Sequence, residues 1–215
     1  MLPPRLPESL VDDEPAPLAE EVVWEGLRVT GDHNGVEAAY VELIECLLVD
    51  MQLTAARLDR PEMRDCRLER VEASGALLAE ARLRRVEMIG CRLSGVDLGA
   101  ARFVDVRFVD CRLDEVNLRM TKGERVEFEG CDLRGAELNE AELPGTRFLD
   151  CDLSGAQLAK ADLRGGSIVG STIDELRGVQ QLRGVTIDPM QVIPLGVRLL
   201  DELGVIVDDG DDAAS

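Results

Sequence analysis

Across residues 91–118, "CRLSGVDLGAARFVDVRFVDCRLDEVNL", the large apolar residues Leu93, Leu98, Phe103, Phe108, Leu113 and Leu118 recur every five positions. A helix face needs a period of 3.6 and a half-buried strand a period of 2, so neither element explains five. A second series runs two residues ahead: Cys91, Val96, Ala101, Val106, Cys111 and Val116 are all small or medium-sized. The unit therefore reads small-x-large-x-x. The large position holds from Leu43 to Ile173 without insertion or deletion, and only Ala73 and Gly123 are weak. A repeat this strict decides the architecture before local propensity does.

Within it, "AELNEAEL", "CDLSGAQLAKADLRG" and "CDLRGAEL" resemble the pentapeptide-repeat family, whose consensus is A(D/N)Lxx. The resemblance covers residues 43–173. It implies an all-β fold, a right-handed quadrilateral β-helix with one pentapeptide per side and four per coil. Two inward residues in every five would fill the core, and three would form the corner and the outer face. Glycine two positions after the large residue, as at Gly75, Gly90 and Gly130, suits a corner. Residues 20 apart should stack at about the 4.8 Å interstrand spacing. Cys91, Cys111, Cys131 and Cys151 then form one ladder, Phe108, Phe128 and Phe148 another, and Cys46 and Cys66 a short third. The expected rod has about six to seven coils and is about 30 Å long.

The six cysteines all fall on small inward positions, which reads as buried free thiols rather than disulfides or metal ligands. No C-x-x-C pair exists, and His33 is the only histidine. A reduced, cytoplasmic protein is expected. The stretch at residues 1–20 is rich in Pro and acid and reads as a disordered tail, not a signal peptide. No apolar run is long enough to span a membrane.

The net charge of −19 is concentrated in the flanks. Residues 1–42 carry 10 acids and 2 bases, and residues 174–215 carry 9 acids and 3 bases. The repeat carries 24 acids and 19 bases, and its second half, residues 108–173, has 13 acids against 8 bases. Direct binding of nucleic acid is not expected, because phosphate recognition needs clustered Lys and Arg in excess.

Both open edges of a β-helix must be covered. Residues 21–42, with a strand pair or turn carrying Trp24, are assigned as an N-terminal cap ahead of a solenoid over 43–175. Residues 176–207 read as a loop and helix, and 208–215 as an acidic tail. Asp188 is placed as N-cap, Pro189 at N1 and Gln191 to complete a capping box, so a helix is predicted near 189–203, ended by Gly204 and slightly kinked at Pro194. It has two apolar stripes. Val192, Leu195, Leu199 and Leu203 are expected to cap the last coil. Met190, Ile193, Val197 and Leu200 are left for a second copy, which predicts a homodimer. At Gly123, where a core Leu is missing, the expectation is a bulge or a void filled by Met120.

No nucleophile elbow, zinc motif, phosphate loop or dinucleotide fingerprint is present, and no cofactor or metal is implied. The expectation is a non-enzymatic protein that acts by binding other proteins. The layout of a repeat rod followed by a C-terminal helix is similar to that of MfpA and Qnr-type members of the family. That resemblance implies a dimer that imitates duplex DNA and binds DNA gyrase, lessening quinolone action. Glu127, Glu129, Asp132 and Glu137 are the acidic residues assigned to such a partner. Arg82, Arg102 and Lys122, stacked on one face, depart from that pattern, and the Qnr loops are absent. The alternative class is an adaptor or scaffold for another cytoplasmic protein.

Overall fold

The computed structural model describes residues 1–12 and 17–206. The acidic tail assigned to 208–215 lies outside the described residues. Among the described residues there are twelve strands: β1 (Val11–Asp12), β2 (Val23–Glu25), β3 (Leu27–Val29), β4 (Glu37–Ala39), β5 (Glu42–Ile44), β6 (Leu47–Val49), β7 (Arg57–Asp59), β8 (Glu62–Glu69), β9 (Arg82–Ile89), β10 (Arg102–Val109), β11 (Lys122–Glu129) and β12 (Arg147–Leu149). All pairings are parallel, and they wind into a four-sided solenoid of about seven turns. Phe103 pairs with Leu83 and Gly123, and Phe108 with Met88 and Phe128, so the register is 20 residues per coil.

Strands β8 to β11 each run through two walls of a coil, while the other two walls are short bridged segments joined by turns. We number the walls by the coil 61–80: residues 61–65, 66–70, 71–75 and 76–80. The large and small positions point inward and are buried almost without exception, from Leu43 to Ile173. The corner is the residue two after each large one. Every fifth residue from Gly35 to Glu175 is left-handed, with φ between 50° and 77°. Many of these are not glycine: Asp50, Arg85, Asp110 and Met120 are examples. Left-handed backbone costs a non-glycine residue about 1–2 kcal/mol. Most corner N–H groups are nevertheless held by the next coil, as in Asp110 N–H to the Glu129 carbonyl at 2.9 Å. The closed ladder of hydrogen bonds overrides the local preference.

Most inward polar side chains share one solution, Thr146, whose buried hydroxyl has no partner among the described residues, being an exception. The Sγ of Cys66, Cys91, Cys111, Cys131 and Cys151 each donates to the carbonyl 23 residues upstream, for example Cys111 to Met88 at 3.4 Å. Thr121 and Ser171 do the same through their hydroxyls, to Leu98 and Phe148. All six cysteines are free and buried.

Gly123 marks neither a bulge nor a void. Its register with Phe103 is unbroken, and its N–H bonds to the Glu142 carbonyl at 2.9 Å. A Cβ there would lie 2.6 Å from Leu143 Cδ2 and 2.7 Å from Val126 Cγ2. Leu143 has therefore taken the space of the missing leucine. Met120, expected to fill it, sits on a corner with 52% of its surface exposed.

Both ends differ from the sequence reading. Residues 21–42 form a further coil rather than a separate cap. Strands β2 and β3 do not pair with each other; Trp24 pairs with Leu43, and Arg28 with Leu47, an offset of 19. Trp24 thus occupies a large inward position and is fully buried. Described residues of the stretch 1–20, expected to be disordered, pack along the rod. Strand β1 pairs with β3, and the backbone N–H groups of Leu2 and Arg5 donate to Asp105 (2.9 Å) and Asp65 (3.1 Å). Asp65 and Asp105 are two coils apart, about 10 Å, which three extended residues span.

At the other end the capping box forms as expected: Asp188 accepts from Met190 and Gln191, and Gln191 accepts from Asp188 N–H. A 3-10 turn over Pro189–Gln191 leads into α1 (Val192–Glu202). Pro194 falls in the first turn of α1, where a missing N–H breaks no interior bond. The stripe expected to cap the last coil does not do so. Only Leu195 of that stripe packs on the core, while Val192, Leu199 and Leu203 stay exposed. Leu176 and Val179 close the rod instead, with Leu182, Val185 and Ile187 beside them. The helix is held by polar clamps. Gln191 donates to the carbonyls of Ile168 (2.7 Å) and Ser171 (2.6 Å), and Glu202 accepts from the N–H groups of Gly178 and Val179.

Candidate protein-binding surface

With the inward positions filled, the groups open to a partner lie on the outer columns. In the second wall, charges alternate up one column: Arg67, Glu87, Arg107, Glu127 and Arg147. Each is within ion-pair distance of the next, between 3.0 and 3.7 Å. Alternation of this kind neutralises stacked neighbours.

The four acids assigned to a partner belong to this paired population. Glu127 lies between Arg107 (3.1 Å) and Arg147 (3.0 Å) with its side chain 12% exposed. Glu129 pairs with Arg107, Asp132 with Arg134 at 2.6 Å, and Glu137 with Arg119 at 3.8 Å. The Arg134 guanidinium also holds the Asp132 carboxyl below the usual carboxylate range. The repeat spreads these residues over three walls of one coil. Only Glu127 and Glu129 share a wall. They do not form a row.

Other carboxylates do stand free. In residues 108–173, Asp110, Asp114, Glu115 and Asp150 have no cationic partner among the described residues, and Arg112 is the one base there without an acid. Asp110 and Asp150 occupy the same corner, two coils apart. Gly130, the corner between them, accommodates the Asp110 carboxylate, since a Cβ there would come within 2.5 Å of Asp110 Oδ1. Sequence reasoning passed over these residues. Asp110, Glu115 and Asp150 have no base at the positions 20 before and after, whereas Asp114 has Arg134 at the position 20 after it, and that arginine turns to Asp132 instead.

The corner between the first two walls carries a different ladder. Asp65, Arg85, Asp105 and Arg125 alternate, and Asp65 and Asp105 are almost fully buried beneath the N-terminal strap. The Arg125 guanidinium, with the Leu2 N–H, pulls the Asp105 carboxyl down to about 2; Arg85 and the Arg5 N–H lower Asp65. A carboxyl whose folded value lies below its unfolded value stabilises the fold above the unfolded value, near 4, and loses that effect as pH falls through the folded one. Asp105→Asn should therefore lower the melting temperature at pH 7. The gap between variant and parent should shrink as pH falls from 4 toward 2, read by circular dichroism melts at each pH. A pH-independent gap would mean the carboxylate charge is not what anchors the strap.

Among the described residues, no group of three or more His, Cys, Asp or Glu is arranged to hold a metal ion, and no helix is long and apolar enough to cross a membrane.

Residues 81–158 match the family described as "Pentapeptide repeat region", and residues 62–99 match "Pentapeptide repeats (8 copies)". Residues 62–158 form a pentapeptide-repeat region of this family. No curated protein matches it. Among solved structures it is similar to a trypsin-treated form of QnrB1, a plasmid-mediated fluoroquinolone resistance protein, at 18% identity and a TM-score of 0.40, covering 88% of this chain and 99% of that one. It is also similar to Rfr23 from the cyanobacterium Cyanothece 51142 at 23% identity and a TM-score of 0.40, covering 55% and 88%. HetL from Nostoc sp. strain PCC 7120, involved in heterocyst differentiation regulation, is similar at 16% identity and a TM-score of 0.27, covering 77% and 89%. At these scores the likenesses carry no argument about partners.

Proposed function

We propose that this protein is a non-enzymatic, homodimeric pentapeptide-repeat rod that works by binding other proteins in the cytoplasm. The observation that carries the reading is the apolar helix left open on a rod whose core is already closed. Met190, Ile193 and Val197 are 85%, 78% and 60% exposed, with Leu200 beside them. Among the described residues nothing covers them, whereas a second copy of α1 about a two-fold axis presents the same apolar surface. Dimerisation would join two rods at their C-terminal ends into one longer binding surface. The inward positions of the described coils are filled by side chains, which favours binding at the surface.

A second reading is DNA mimicry aimed at DNA gyrase, with an effect on quinolone sensitivity. It is favoured by the excess of free carboxylates in residues 108–173, four acids against one base. It is weakened by the pairing of Glu127, Glu129, Asp132 and Glu137. Gyrase supercoiling assays separate the two. Mimicry predicts that the purified protein inhibits supercoiling, and less so as salt rises from about 0.05 to 0.5 M. Reversing Asp110, Asp114, Glu115 and Asp150 to Lys should abolish the inhibition. Unaffected supercoiling at low salt would leave an adaptor for another protein as the function.

A further inference from the structure

The first wall departs from the sign alternation of the second and carries the longest run of stacked cations among the described residues; the third wall has a single such pair, Arg92 on Arg112. The outer face of the first wall has two columns flanking the backbone of Leu43, Met63, Leu83 and Phe103. In one column Arg82 stacks on Arg102, and Arg102 on Lys122. In the other, Arg64 stacks on Arg84. Only the ends of the first column are neutralised, Arg82 by Glu62 and Lys122 by Glu142. The guanidinium groups of Arg64, Arg84 and Arg102 have no carboxylate partner among the described residues. Like charges directly opposite on neighbouring strands are destabilising. A chain of net charge −19 with acid to spare has placed cation on cation here.

The space between the columns is an open trough of about 390 Å³ walled by Arg64, Arg82, Arg84 and Arg102, with Glu42 and Glu62 at its N-terminal end. Apolar groups border the cations: Ile44 and Val104 are half-buried in the same face, and Met120 on the adjoining corner is 52% exposed. We propose that this trough is a docking site for an extended acidic peptide segment of a partner protein, one that alternates carboxylates with apolar side chains. Three coil steps separate Arg64 from Lys122, about 14 Å, which is the length of about four extended residues. Guanidinium forks suit carboxylates in two-point pairing, and the apolar border suits the alternate side chains. A long nucleic-acid strand fits less well, since the acidic flanks of this chain would repel phosphates beyond the trough.

The site lies on a different wall from the free acids, so it stands or falls independently of any gyrase effect. The test is fluorescence anisotropy of a labelled twelve-residue Glu-Leu alternating peptide with the full-length protein. Binding should weaken at least about tenfold between 0.05 and 0.5 M salt. Arg84→Glu with Arg102→Glu should reduce affinity at least about tenfold, while Arg112→Glu, an equally unpaired arginine on the third wall, should leave it unchanged. Because the double reversal removes like-charge stacking, it should also melt no lower than the parent; loss of binding with loss of fold would be read instead from Arg102→Gln, expected to bind more weakly while remaining folded. Absence of peptide binding, or binding indifferent to both Arg102 variants, overturns the proposal. Tighter, Arg102-dependent binding of a labelled single-stranded oligonucleotide overturns the choice of a peptide. A rise in peptide affinity of about tenfold or more on changing Asp208, Asp209, Asp211 and Asp212 to Asn would show that the chain's own acidic segment is the occupant, and overturns the choice of a separate partner.

Discussion

Phe128→Ala should lower the unfolding free energy by about 3–5 kcal/mol, the range for deleting a large, fully packed aromatic side chain. Phe128 is the middle ring of three. It lies 4.7 Å from Phe108 and 5.0 Å from Phe148, with the ring planes within 4° of parallel in each pair. All three are buried. In a solenoid each coil touches only its neighbours, so a gap at Phe128 weakens two interfaces at once. The loss should therefore exceed that of Phe148→Ala, where one stacked neighbour is lost instead of two. Chemical denaturation of the three proteins measures this. Equal losses for Phe128 and Phe148 would mean that the stack adds nothing beyond ordinary burial.

Gly123→Leu should destabilise by about 3 kcal/mol or more, although it restores the repeat's own consensus. The added side chain would meet Leu143 and Val126 at less than van der Waals distance from its first carbon. Leu143→Ala alone should cost about 3 kcal/mol by leaving a cavity. The pair Gly123→Leu with Leu143→Gly should recover most of the stability, because the two residues compete for one volume and their effects cannot add. If Gly123→Leu were neutral or stabilising, the space beside Gly123 would be empty and the packing given to Leu143 mistaken.

The contrast between these two sites shows what the sequence disclosed. The inward residues were legible because a period of five with a secondary period of 20 leaves no other way to line one core. Phe108, Phe128 and Phe148 were therefore placed correctly, as were the cysteine ladders and the Asp188 capping box. The role of Leu143 was not legible, since which neighbour moves into a gap is decided by packing. The coil at residues 21–42 escaped notice because its offset is 19 and its pattern is carried by Trp24 and Val29 rather than by leucines. The strap over residues 1–12 has no periodicity to read; it is held by backbone N–H groups on buried Asp65 and Asp105.

For the candidate surface the sequence misled through totals. Thirteen acids in residues 108–173 suggested a negative field, yet nine of them have a cation within reach. Glu127 was the plainest case, because Arg107 and Arg147 stand at the positions 20 before and after it. What remains after pairing is sparse and largely sorted: in the repeat three of the four unpaired cations, Arg64, Arg84 and Arg102, lie on the first wall and Arg112 on the third, while in residues 108–173 the acids without a cation are Asp110, Asp114, Glu115 and Asp150. Such sorting on a rigid rod suits recognition by shape and charge.

A rod joined end to end is the assembly on which the functional reading rests, and its most direct measurement is the mass of the full-length protein in solution by light scattering across the micromolar range. The account predicts a dimer, converted by Ile193→Asp with Val197→Asp into a soluble monomer with an unchanged β-rich circular dichroism spectrum. A parent protein that is already monomeric at tens of micromolar would contradict it.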